Sequence, residues 1–215
     1  MKKLAILGAS GHGKVVAEIA EQTGWDVCFF DDEFPGKREI ENVWKIHGTT
    51  KDLYENIASY PNCFVAIGNN STRLQKLSEL ELLGAKFPVL IHPKATVSHH
   101  VKIDKGSVIM ANAVINPFVT LGKGIIVNTS STVDHDCVLA DGVHISPGVS
   151  VAGTVSVGPG SWIGIGAAVK QCVQIGSNVV VGAGAVVVND IPDGVTAIGV
   201  PAKFQIETIG KKLEC

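Results

Sequence analysis

"INPFVTLGKGIIVNTSSTVDHDCVLADGVHI", residues 115–145, decides the fold. Ile115, Leu121, Val127, Val133, Leu139 and Ile145 recur every six residues, and the same step runs from Val97 to Val187. All sixteen positions are Val, Ile or Leu, and the residue two places before each is Ala, Val, Ser, Ile or Cys. A six-residue repeat of this kind is the signature of a parallel β-helix, in which each repeat is one short strand plus a turn and three repeats close one triangular coil. Sixteen repeats give about five coils, a prism about 25 Å tall at the ~4.8 Å spacing of paired strands. Gly122, Gly142, Gly158, Gly164, Gly176 and Gly182 recur one to three places after the aliphatic steps, where the corners are expected to need unusual backbone angles.

Upstream the rhythm differs. "KLAIL" (3–7) reads as a strand and "GASGHG" (8–13) as a glycine-rich turn. "KVVAEIAEQTG" (14–24) has apolar residues at helical spacing, closed by Gly24. "WDVCFF" (25–30), "CFVAIG" (63–68) and "KFPVLI" (86–91) read as further strands, and "STRLQKLSELELLG" (71–84) as a helix. Strand–helix alternation predicts a small Rossmann-like parallel sheet. The expected domains are an α/β unit over 1–92, a β-helix over 95–190 and a tail over 191–215.

The bulk numbers narrow the function classes. A net charge of −2 gives no basic field for nucleic acid. No apolar run reaches the roughly 18–20 residues of a membrane span. The N-terminal "MKKLAILG" has too short an apolar stretch for a secretory signal, so it reads as a first strand. Five dispersed cysteines without a CxxC suit reduced thiols, and a cytoplasmic location is expected.

These motifs carry a resemblance. The sustained hexads, together with "GASGHG", "FFDD", "AIGNN", "NTSSTVDHDC" and "AIGVPAK", resemble the hexapeptide-repeat sugar acyltransferases. Within them they resemble the subgroup of bacillosamine and perosamine N-acetyltransferases and sialic-acid O-acetyltransferases. The likeness covers residue 3 to residue 203. It implies a left-handed coil, a hand the period alone does not fix. It also implies a homotrimer, acetyl-coenzyme A as donor and a nucleotide-activated amino sugar as acceptor. The expected acceptor is UDP-4-amino-4,6-dideoxy-N-acetylglucosamine, with GDP-perosamine or a sialic-acid hydroxyl as alternatives.

His135 falls two places past inward Val133, at a corner of the prism rather than in its core. An imidazole titrating near neutrality suits a general base. A carboxylate on its other nitrogen fixes the tautomer; the resemblance assigns this to Asp136, leaving Asp134 as a turn residue. Cys137 lies in the small inward column, where a thiol without a basic partner is inert. His144 is nine residues beyond His135, one and a half edges around the triangle, so both serve one site only where two subunits meet. The resemblance places His144 near the acetyl group and Gly153, Ile165 and Ala183 along the coenzyme.

"GASGHGKV" falls short of a P-loop because Val15 replaces the metal-binding hydroxyl. It remains a glycine turn that can approach a phosphate. The resemblance gives Gly11, His12, Gly13, Asp31 and Asp32 to the nucleotide sugar. The plainer reading of the two aspartates is strand-ending turn residues. Gly68, Asn69 and Arg73 follow the third strand, with Arg73 expected to face a phosphate. A zinc site would need a third histidine suitably spaced from His135 and His144, so no metal is expected. A non-catalytic sugar sensor would be favoured by loss of His135, which is present.

Overall fold

The structure, a computed structural model, describes residues 2–204; the remainder of the expected tail, with Cys215, lies outside the described residues. It opens with β1 (Lys2–Leu7), α1 (Gly11–Gln22) and β2 (Trp25–Phe30). β3 (Glu39–Ile40), β4 (Trp44–Gly48), α2 (Thr50–Glu55), β5 (Cys63–Val65) and α3 (Asn70–Leu82) follow. The sheet order is β3-β4-β2-β1-β5, parallel except for β3 against β4. Leu4, Ile6, Val16, Ile19, Phe29 and Phe64 form its core on the α1 side.

The rest is a left-handed β-helix of two-residue strands on three faces. Face one has seven strands from Leu90–Ile91 to Thr196–Ala197, face two six from Thr96–Val97, and face three five from Lys102–Ile103. Neighbouring rungs lie eighteen residues apart, as in Val133 opposite Val151. The sixth-residue column fills the interior: Ile145 and Val151 are 0% and 1% exposed.

Three expectations change. First, "KFPVLI" is no strand of the α/β sheet: Leu90–Ile91 starts face one, and Ile91 lies on the six-residue step back from Val97. Second, pairing continues past 190, where Thr196–Ala197 lies against Val180–Val181. This last rung is sixteen residues long, so it breaks the period. Third, the left-handed corner residue comes three places after the aliphatic step, as at Gly142 (φ 68°). The glycines directly after that step are needed for a different reason. A Cβ on Gly164 would lie 2.5 Å from the Val181 carbonyl oxygen, so the next coil leaves no room for one.

The corner joining faces three and one holds a column of glycines: Gly106, Gly124, Gly142 and Gly160. Helix α3 lies against it. A Cβ on Gly106 would meet Leu77 Cδ1 at 2.7 Å, and one on Gly142 would meet Leu74 Cδ1 at 2.6 Å. Arg73, 1% exposed, binds the column's carbonyl oxygens: Nε donates to Gly124 at 2.8 Å and one terminal nitrogen to Gly142 at 2.9 Å. Asn70 Nδ2 donates to the Gly160 carbonyl at 2.9 Å. Beside this track Val108, Met110 and Ile126 pack into the α1-side core, so the α/β unit sits on the early rungs of face one.

Candidate active site

The corner joining faces two and three carries Pro117–Phe118, His135–Asp136 and Gly153–Thr154 on successive coils. Backbone N–H groups of Asp136 and Thr154 donate to Pro117 and His135 carbonyls. Asp136 takes the left-handed conformation, φ 60°. Its carboxylate lies 2.8 Å from His135 Nδ1, with both side chains about half exposed. That hydrogen bond, and secondly the charge of Asp134, raise the imidazole pKa above its ordinary value. Asp134 is itself occupied, accepting from the His135 N–H at 2.8 Å and Asn116 Nδ2 at 2.7 Å. Gly153 gives the ring its room: a Cβ there would lie 2.7 Å from both Cε1 and Nε2 of His135. Cys137 is fully buried, and desolvation raises its thiol pKa.

His144 faces outward from face one, stacked at 5.5 Å and 2° on Trp162, whose Nε1 donates to Ser146 Oγ. Asn128 Oδ1 accepts from the Thr129 N–H, so its Nδ2 is turned toward His144 Nε2, 3.3 Å away. That network assigns the lone pair to Nε2 and the proton to Nδ1. Nδ1 is buried without a partner. Burial first, then the charges of Arg73 and His12, push the His144 pKa down to about 3, so the ring is a neutral donor. His12 has a buried, unpartnered Nε2, and burial and then Arg73 lower its pKa to about 4.

A cleft of about 230 Å³ opens at the carboxyl ends of β1, β2 and β5, lined by Gly8, Ser10, Asp31, Asp32, Thr50 and Gly68 among others. The glycine turn enters it through Gly8 and Ser10 rather than Gly11, His12 or Gly13. Gly13 is buried under the Gly8 carbonyl, where a Cβ cannot fit. Asp31 accepts from the Ala9 N–H at 2.6 Å and the Glu33 N–H at 3.0 Å, so it shapes the turn. Asp32 is exposed and accepts from the Thr50 N–H at the start of α2. Asn69 caps α3 through Thr72 N.

Arg73 requires a correction. It does not face a phosphate. Its five N–H groups are spent on Ile67, Gly68, Gly124 and Gly142 carbonyls and Asn70 Oδ1, with no carboxylate among them. It clamps the loop after β5 to the prism. Desolvation lowers its pKa only to about 10, so it stays charged at neutral pH.

The candidates therefore fall into three places on one chain. His135, Asp136 and Gly153 share the corner of faces two and three. Ile165 and Ala183 are exposed on successive coils at the corner of faces one and two. His12, His144 and the cleft belong to face one and its α/β cover. Sequence reading missed Asn128, Trp162 and Asn70. Trp162 and His144 are one coil apart and both directly precede inward aliphatics, which is the signal that could have paired them.

A left-handed β-helix with a carboxylate-supported histidine at a corner, under an α/β cap with a cleft at the carboxyl ends of its strands, defines a hexapeptide-repeat transferase. Residues 3–80 match the PglD N-terminal domain and residues 154–189 the bacterial transferase hexapeptide (six repeats). The acetyltransferase domain of PglB from Neisseria gonorrhoeae FA1090, solved in complex with acetyl coenzyme A, is 47% identical. The match covers 95% of this chain and 99% of that one, with a TM-score of 0.90. PerB from Caulobacter crescentus, solved with CoA and GDP-perosamine, is 37% identical over 95% and 98% of the two chains, TM-score 0.90. UDP-N-acetylbacillosamine N-acetyltransferase of Bacillus subtilis (strain 168) is 39% identical over 115 residues; the match spans about half the length of that curated relative, 52% of each chain. This chain belongs to the family of acetyltransferases that join a PglD-type N-terminal domain to a hexapeptide-repeat β-helix.

Proposed function

We propose that the protein moves an acetyl group from acetyl-coenzyme A to the amino group of a nucleotide-linked amino sugar. The best-supported acceptor is UDP-4-amino-4,6-dideoxy-N-acetylglucosamine, giving UDP-N,N′-diacetylbacillosamine. The observation that carries the reading is the His135–Asp136 pair at 2.8 Å, open to solvent on one side of the prism while the acceptor cleft sits on another. A homotrimer reconciles the two: the base of one subunit meets the cleft and His144 of its neighbour. The donor then lies between two prisms, along Gly153 of one and Ile165 and Ala183 of the other. No helix among the described residues is long and apolar enough to cross a membrane, which accords with the cytoplasmic location we propose.

The chemistry follows from the groups in place. The sugar amine attacks the thioester carbonyl carbon directly. His135 Nε2 takes the amine proton while Asp136 steadies the imidazolium through Nδ1. The negative charge gathering on the carbonyl oxygen needs fixed donors; His144 is neutral, but its Nδ1–H is closed to solvent in the single chain, so the ring has to turn for that N–H to reach the oxygen. The carbon–sulfur bond then breaks, and the coenzyme leaves as its thiolate, which regains a proton. The test is acetyl transfer to a panel of UDP- and GDP-linked amino sugars and to free sialic acid, with trimer mass measured in parallel. Turnover of a UDP-linked 4-amino sugar supports the reading. Preference for GDP-perosamine or for a hydroxyl acceptor would replace it with one of those activities.

A further inference from the structure

Phe118 is an oddity in the corner ladder. At the same step of other rungs the left-handed position falls to glycine or to smaller and polar residues, Gly106, Asn112, Ser130, Asp136, Thr154 and Cys172 among them, and Phe118 is the one aromatic there among the described residues. A bulky aromatic at φ 66° is an uncommon and costly choice, and such strain gathers at functional positions. The ring gains little burial there: Phe118 is 62% exposed. It stacks on His100 with centroids 5.2 Å apart and planes at 25°.

Its position gives the exposure meaning. The Asp136 N–H donates to the Pro117 carbonyl at 3.2 Å, so Phe118 stands one coil above the His135–Asp136 pair at the same corner. The long axis of the prism has a direction. The α/β cover packs on the early rungs at Val108 and Ile126, whereas Ile165 and Ala183 lie on later ones. Gly153, below the base, is therefore on the donor side, and Phe118, above it, is on the acceptor side.

We propose that the Phe118 ring is the acceptor-side wall of the transfer site and selects a deoxygenated pyranose face. The proposal rests on the nucleotide-amino-sugar reading above. The face of an aromatic ring is electron-rich and attracts polarised C–H groups. A methyl group at C5 of the sugar can pack there freely. A hydroxymethyl or carboxylate would lose water without gaining a hydrogen-bond partner.

The experiment uses full-length Phe118→Gly and Phe118→Tyr. Kinetics are measured on a nucleotide-linked 6-deoxy amino sugar and its 6-hydroxy counterpart, with melting and sedimentation on each protein. Phe118→Gly should melt no lower than wild type, because glycine accepts the left-handed corner. Its kcat/KM for the 6-deoxy acceptor should fall about tenfold or more, the scale of one apolar contact. Its preference over the 6-hydroxy acceptor should fall with it, while KM for acetyl-coenzyme A stays unchanged. Phe118→Tyr should keep the preference. Unchanged selectivity in Phe118→Gly overturns the proposal. So does a loss of trimer, which would make Phe118 a contact between copies. If wild type acetylates no nucleotide amino sugar at all, the functional reading fails and the wall fails with it.

Discussion

Gly153 lies directly beneath His135, and the missing side chain of one is the space occupied by the ring of the other. A Cβ at Gly153 would stand 2.7 Å from His135 Nε2, the atom that has to meet the amine. Position 153 therefore sets the height and tilt of the base.

Gly153→Ala should fold, since its neighbour is an exposed, movable ring. The ring must shift by roughly 0.7–1 Å to restore van der Waals contact, or rotate away. A misplaced reacting group of this kind costs up to about 10²-fold in rate. The expected result is a kcat lowered about 10- to 100-fold, with melting near wild type and KM for the acceptor little changed. A wild-type kcat would show that the His135 ring is not held where the reaction needs it.

The acidic limb of the kcat/KM profile should report His135. Its pKa is raised, chiefly by the Asp136 hydrogen bond. The base works only when unprotonated, so the wild-type limb should lie above the ordinary imidazole value, and Asp136→Asn should move it to lower pH. His135→Ala should lower kcat by about 10²–10⁴, the usual contribution of a general base. A limb that stays in place in Asp136→Asn would assign the titration to another group.

Asp32→Ala separates the two substrates. If Asp32 reads the nucleotide, KM for the nucleotide sugar rises while KM for acetyl-coenzyme A holds, because a group on a remote part of one substrate contributes binding to that substrate alone. Its exposed hydrogen bond to the Thr50 N–H, on a helix already capped by Thr49, predicts in addition only a small loss of stability. Stability loss with equal changes in both KM values would leave Asp32 a turn residue only.

Acid should destabilise the fold through two histidines. His12 and His144 are held near pKa 4 and 3, chiefly by burial, against 6.5 when unfolded. Between those values the unfolded chain binds more protons, so stability rises with pH. It is fully present above about pH 6.5 and is lost as pH falls through about 4 for His12 and about 3 for His144, on the order of a few kcal/mol in all. Melting temperature against pH should show this slope, and His144→Gln should flatten it. An identical slope in that variant would place the acid sensitivity elsewhere.

The prism was legible because burial repeats. Every sixth side chain meets the same interior, so Val97 to Val187 had to be aliphatic, and the corner position of His135 followed from Val133. The glycine roles were misread because sequence shows where a side chain is missing without showing why. Gly164 lacks one for want of space, whereas Gly142 sits in a left-handed turn. Helix α2 spans only six residues, too short to show a periodicity. Arg73 was misplaced for a different reason. A cation after a strand of an α/β sheet suggests a phosphate, and nothing local reveals that its partners are carbonyls 51 and 69 residues away.

The glycine track under α3 has a consequence of scale. Its rungs are nearly alike and ~4.8 Å apart, so by shape alone the cap could dock one rung higher or lower. Arg73 and Asn70 break that degeneracy by choosing Gly124, Gly142 and Gly160. They work as the stop on a sliding scale, fixing how far along the axis the cleft stands from the rung of the base. His135 lies between Gly124 and Gly142 in the chain, so the base stands on the very coils that the guanidinium spans, and a coil added there would part the two carbonyls it holds. Coils can be added or lost beyond the dock without changing the reach from cleft to base, so the length of the prism and the span of the acceptor are set independently.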